Sequence, residues 1–362
     1  MLDDFRPAPF FNGELISLIE CFTFRLSGIQ TKRDDFVYAS TISALTERIS
    51  AFADGVASPQ FPKFAPTDAR PEALARSQPF DATRIGLVAY RPLDHRYLYN
   101  HSAFLDRSRP DLQSAWGETN VGLYAMSSGT GAGPAVWCHG LLPDYHAFRG
   151  SYGGYAFPLF DRRAGHGPFN LKASVMEALG AAYGGAVAPE AVFDVILCLL
   201  SGRSYTTRFA EDLEDTFPHI PFPAARTLFD EAAALGAEIR AVETFARLPR
   251  EDRKLARAET APTGPLAPVE WKDGEIRLCA DGSGRVSHLP ANVWQFAVSG
   301  YRVLPRWLAA REKLAIGRTF IPELRDVAAR IAELIDLFDA ADSILQRTLD
   351  EPLSRAALGI VD

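Results

Sequence analysis

Ala191-Val192-Phe193-Asp194-Val195-Ile196-Leu197-Cys198-Leu199-Leu200 is the most apolar run in the chain, broken only by Asp194. A membrane span needs roughly 20 such residues, so the run predicts a buried, central helix instead. The sequence differs on its two sides. From 171 to 248 the apolar residues keep a helical period, with further helices expected over Tyr205 to Leu213 and Ala224 to Phe245 on either side of the proline-punctuated Phe217-Pro218-His219-Ile220-Pro221-Phe222-Pro223. From 84 to 160 the pattern is short and β-prone: Ile85 to Tyr90, Tyr97 to Tyr99, Val121 to Met126 and Ala135 to His139, divided by Gly, Pro, Asn and Ser. The expected class is therefore α+β, with a β-rich part over 15–170 and a mainly helical part over 171–362.

Further out, Leu15 to Leu26 has helical spacing with Gly28 as a stop, Phe36-Val37-Tyr38 reads as a strand, and Ser43 to Phe52 as an amphipathic helix. Residues 55–83 form a long connection or a first boundary, and 260–268, with three prolines and a glycine, a linker or exposed loop. Asp281-Gly282 between Glu275 to Cys279 and Gly284 to His288 predicts a small hairpin. Val303 to Lys313 and a long amphipathic helix from Ile321 to about Leu349 complete the chain. Acids outnumber bases on that last helix, so phosphates would repel it, and it should pack along the module or a partner helix.

The 362 residues contain 38 Lys and Arg against 45 Asp and Glu, a net charge of −7. A protein that neutralises nucleic acid with its whole surface would be basic, so any such contact must come from concentrated local patches. Cys21, Cys138, Cys198 and Cys279 are scattered without a CxxC pair, which argues against a disulfide framework and fits a reducing cytoplasm. The acidic start Met1-Leu2-Asp3-Asp4-Phe5 lacks the basic residues of a signal peptide, so a soluble cytoplasmic protein with no membrane partner is expected.

No residue pattern announces catalysis. Ser128-Gly129-Thr130-Gly131-Ala132-Gly133 follows a predicted strand, but Pro134 and another strand follow it where a phosphate-cradling loop would open a helix, so a hairpin loop is the simpler reading. The Gly-x-Ser-x-Gly elbow is missing, and Cys138, His139, Asp144 and His146 match no metal-ligand spacing. Glu211, Asp212, Glu214 and Asp215 read as a solvated helix face.

Two groups of basic residues interleaved with aromatics stand out. The first holds Tyr90, Arg91, His95, Arg96, Tyr97, Tyr99, Arg107 and Arg109, the second Tyr301, Arg302, Arg306, Trp307, Arg311 and Lys313, and Lys32 and Arg33 could join them. Guanidinium forks suit phosphates and guanine edges, and aromatic faces suit bases or sugars. The competing structural reading makes Arg91, Asp94 and Arg96 an internal ion-pair cluster.

Several segments, in order, resemble a known family. Ser27-Gly28-Ile29-Gln30-Thr31-Lys32-Arg33-Asp34-Asp35-Phe36 resembles the "SGIKTGRDDF" segment of type ISP restriction-modification enzymes and related adenine DNA methyltransferases. Tyr90-Arg91-Pro92-Leu93-Asp94-His95-Arg96-Tyr97-Leu98-Tyr99 is similar to their "YRPFDxRWxY", and Phe157-Pro158-Leu159-Phe160 to "FPLY". Val192-Phe193-Asp194 through Tyr205 and Phe217 to Pro221 resembles "FDYIYAVLHSPxYRxxYxxxLxxDFPRIP", and Val293-Trp294 through Leu308 resembles "VWxxxxGGYxVLxKWL". His219 stands where the family's "FPRIP" has arginine, and Ser299 where "GGY" has its first glycine. The amino-methyltransferase Pro-Pro motif occurs nowhere in the chain.

The resemblance implies the C-terminal specificity (target recognition) domain, a module that reads double-stranded DNA without catalysing a reaction itself. It implies a methyltransferase core as partner, fused or separate, which would hold S-adenosylmethionine and extrude the target adenine; no cofactor is expected in this chain. Two alternatives remain at this stage: a small nucleotide- or S-adenosylmethionine-binding enzyme using the Gly129–Gly133 loop, and a degenerate protein-interaction module.

Overall fold

The computed structural model describes residues 11, 14–56, 64, 68–148, 153–163, 165, 168–250 and 254–360; the acidic start Met1 to Phe5 and the 57–63 and 65–67 stretches of the 55–83 connection lie outside them. The central run forms the helix Pro189–Ser201, started by a first-turn proline, and every residue from Val192 to Ser201 is buried. Asp194 survives there because Arg240 donates to both carboxylate oxygens at 2.7 and 2.9 Å. Arg240 belongs to the antiparallel neighbour Arg226–Glu243. That helix approaches closely through Gly236, where a Cβ would lie 1.9 Å from the Asp194 carbonyl oxygen, so only glycine fits. The terminal helix Phe320–Asp350 packs along Arg226–Glu243 and Pro189–Ser201.

The β-rich part holds two antiparallel sheets. One orders Tyr38–Ala39, Asp94–Tyr99 and Ile85–Arg91; the other orders Leu26–Ser27, Gly154–Pro158, Gly122–Met126 and Val136–His139. One hydrophobic cluster runs from Phe11 to Leu358, joining this second sheet to the helices, and a smaller one from Ile29 to Leu105 sits under the first sheet. The expected hairpin forms with Ile276 opposite Val286, inside a small four-stranded sheet. No helix among the described residues is long and apolar enough to cross a membrane.

Four local expectations are corrected. Leu15 to Leu26 is helical only over Leu18–Cys21, because Ile16–Ser17 pairs with His219–Ile220 and Leu26–Ser27 with Tyr155–Ala156. Apolar spacing in that stretch records burial between neighbours, not one continuous helix. At Phe36-Val37-Tyr38 the first two residues end a helical turn, Asp34–Val37, and the strand is Tyr38–Ala39. Tyr205 to Leu213 splits into Arg203–Arg208 and Asp212–Asp215. The 55–83 connection contains a helix, Ala69–Arg76.

Candidate nucleic-acid interface

The two basic-aromatic groups meet. The 90–99 part of the first is carried by the Ile85–Arg91/Asp94–Tyr99 hairpin, and the second by the strand Tyr301–Arg302 and the helix Val303–Ala309 with the turn after it. They join at Asp94, which is 2% exposed. Arg311, 217 positions away in sequence, donates to both Asp94 oxygens at 2.7 and 3.2 Å. Arg96 donates to Asp94 Oδ2 through Nε and Nη2 at 3.3 and 3.1 Å, and to the Ala310 carbonyl at 3.3 Å. Burial alone would push the Asp94 carboxyl up, but Arg96 and Arg311 override it and hold the group below the usual carboxylate range.

A second buried carboxylate, Asp144, organises the other wall. Arg91 donates to its Oδ1 at 2.7 Å, Tyr38 Oη to its Oδ2 at 2.8 Å, and the His146 N–H to its Oδ1 at 2.8 Å. Arg91 also lies 3.6 Å from Asp34, which accepts from the Tyr90 hydroxyl at 2.9 Å. The Tyr90 ring sits against two guanidiniums, Arg91 at 3.8 Å and Arg96 at 4.5 Å. Gly28 of the first family-like segment is required here: a Cβ on it would lie 2.6 Å from the Asp144 carbonyl carbon, where Ile29 runs parallel to Asp144.

Between these walls lies an open cleft of about 690 Å³, lined among others by Tyr90, Arg91, His146, Tyr301, Arg302 and Arg306. Arg302 and Arg306 are exposed, and among the described residues no carboxylate pairs with either guanidinium; Arg302 makes a long 3.5 Å contact to the Trp294 carbonyl. Burial pushes the Tyr301 phenol up to about 12, so it remains a hydroxyl at neutral pH.

The remaining predicted residues separate. His95 leaves the cleft: its ring packs on Phe245 at 4.6 Å, and burial, against the pull of Asp94, lowers its pKa to about 4. Tyr97 stands opposite Leu87 and is partly buried on the smaller core. Arg33 is enclosed, paired with Asp68 at 2.8 Å and set over Phe64. Lys32, Arg107 and Arg109 form a second basic edge. Lys32 and Arg107 are 57% and 62% exposed and share Asp106, while Arg109 Nε donates to the Gly28 carbonyl at 3.3 Å. Lys313 is exposed beyond the helix end. Asp94 agrees with the internal ion-pair reading of the sequence, whereas Asp144 was legible only as an acid near a histidine; burial makes both of them organisers, while Asp34 stays partly exposed.

The glycine loop joins two antiparallel strands, as the hairpin reading expects. Its amides are committed within the protein: Gly129 and Thr130 donate to the Glu214 and Leu213 carbonyls at 3.0 and 3.2 Å, and Gly131 to Ser299 Oγ at 3.1 Å. Ser299 replaces a family glycine at a left-handed position, φ 46°, and that hydroxyl contact offsets part of the conformational cost. His219 lies in a short strand, stacks on Phe11 at 4.2 Å and exchanges hydrogen bonds with the Tyr205 hydroxyl through its backbone. No cluster of three or more metal-ligating side chains occurs among the described residues.

Three solved structures share this fold. A nuclease-deletion mutant of the Type ISP restriction-modification enzyme LlaGI, in complex with a DNA substrate mimic, matches 88% of the chain at 15% identity with a TM-score of 0.65. The ATP-dependent Type ISP restriction-modification enzyme LlaBIII, bound to DNA, matches 90% at 15% identity and 0.69. A cryoEM DrdV–DNA complex matches 92% at 16% identity and 0.67. The chain spans 28%, 24% and 36% of those proteins, respectively. No curated protein sequence matches it. The family model described as the Type ISP C-terminal specificity domain matches residues 20–332, and the chain belongs to that family.

Proposed function

We propose that the chain is the DNA sequence-recognition module of an adenine methyltransferase or type ISP restriction-modification assembly, without catalytic activity of its own. The observation that carries this reading is the convergence of two distant basic-aromatic groups on one cleft in an otherwise acidic chain. The family's DNA-bound relatives support the same ligand. The β-rich and helical parts act as one unit, since Arg311 of one grips Asp94 of the other. Arg302, Arg306 and Lys313 contact phosphates on one side, and Lys32, Arg107 and Arg109 on the other. Arg91, Arg96 and Arg311 shape the surface, and Tyr301 presents a hydroxyl to it. Phosphate contacts fix register and orientation, whereas base edges supply specificity. A methyltransferase core, fused or separate, supplies S-adenosylmethionine and chemistry, in the cytoplasm where the genome is reached.

The test is duplex binding by the 362-residue chain. If about five phosphates are contacted, log affinity falls against log salt with a slope of roughly −4 to −5. Binding that ignores salt, or no binding at low salt, would overturn the reading. Saturable micromolar binding of S-adenosylmethionine to the chain alone would instead favour a cofactor-using enzyme, although the spent amides of the glycine loop speak against that.

A further inference from the structure

Resting on the DNA-recognition reading and deepening it, we infer that His146 is a base-reading residue, donating to a purine edge from the middle of the basic-aromatic surface. The residue lines the cleft beside Arg302 and Arg306, yet its ring nitrogens meet no protein partner among the described residues. Its neighbour Tyr145 packs over Gly153, where an added Cβ would lie 1.9 Å from the ring.

The backbone of this pair is fixed with unusual thoroughness for a loop. The Tyr145 N–H donates to the Ile29 carbonyl at 2.7 Å, and the Tyr145 carbonyl accepts from the Gly154 N–H at 3.0 Å and from the Tyr124 hydroxyl. The His146 N–H is held by Asp144, itself locked by Arg91 and Tyr38. The Tyr145 ring lies edge-on to the imidazole at 4.7 Å. Such a side chain is pre-positioned, and binding loses little entropy in ordering it. A neutral imidazole offers one donor and one acceptor. Purines alone present the N7 acceptor in the major groove, flanked by O6 of guanine or the N6 amino group of adenine. His95 and Arg96 of the first group are held inward, whereas His146 on this wall has an anchored backbone and a ring without a hydrogen-bond partner among the described residues.

The experiment is selection of a randomised duplex library by the full chain, followed by sequencing, with wild type, His146→Ala and His146→Asn in parallel. The expected result is a wild-type consensus in which His146→Ala loses discrimination at one purine position, by about tenfold, while the other positions keep theirs. His146→Asn, which can still donate and accept, should shift preference at that same position. An unchanged consensus, or an equal loss at every position, would overturn the assignment while leaving the DNA-recognition reading in place. A wild-type chain that selects no sequence would remove that reading and the assignment together.

Discussion

Arg96 and Arg306 come from the two basic-aromatic groups and end in opposite situations. Arg96 is 13% exposed, donates to Asp94 and Ala310, and packs on Tyr90. Arg306 lines the cleft, exposed and with no ion pair among the described residues. Both are arginines followed in sequence by an aromatic residue, Tyr97 and Trp307; a buried carboxylate against one of them decides between the two situations. The inner arginines therefore hold two halves of the molecule in one geometry, and the outer ones are left available to a polyanion.

Breaking the inner set at its centre should have the largest effect. Asp94→Ala leaves Arg96 and Arg311 buried without their counter-charge, and should cost about 3–5 kcal/mol in chemical denaturation. Arg96→Ala removes one of the two guanidiniums while Arg311 still pairs with Asp94, so the loss should be smaller, about 1.5–3 kcal/mol. If Arg96→Ala unfolded like the parent and weakened only DNA binding, the inner and outer sets would not be distinct.

Glu243 sharpens the comparison from the other direction, as a buried carboxylate that no arginine pairs with among the described residues. Burial raises its pKa to about 8, opposed only by the Cys138 N–H, which donates to it at 2.8 Å. The unfolded side chain ionises near 4.3, so folding takes up a proton between those values. Stability should accordingly fall as pH rises through this window, by on the order of 1.4 kcal/mol per pH unit at most. Glu243→Gln keeps the acceptor for Cys138 and should abolish that slope; urea denaturation at pH 6 and pH 8 measures it. Ser299→Gly should produce the smallest change. It relieves a left-handed φ and loses the Gly131 contact, two effects of about 1 kcal/mol and opposite sign, so its melting temperature should match the parent's closely.

The same contrast explains what could be read from the sequence. The terminal helix was legible because its apolar spacing follows a single period over enough residues, and 85–90 and 97–99 were legible as β-prone runs, though not their pairing or the start of the second strand at Asp94. The 15–26 segment was not, because its apolar residues pack against partners near 156 and 220 that local periodicity does not reveal. The family-like segments located the basic groups, and composition alone required them to be concentrated. Their division into inner and outer sets depended on contacts such as Arg311 with Asp94, which no window of sequence contains. His146 was visible only as a histidine near an acid, since its role follows from the backbone anchors around it.

The division itself is tested most directly by one paired measurement on Arg306→Ala: melting temperature, and duplex affinity across a salt series. The account predicts an unchanged melting temperature, weaker binding to all sequences alike, and a log–log salt slope shallower by about 0.9 for the lost phosphate contact. A destabilised protein that binds duplex as tightly as the parent, with the same slope, would contradict it.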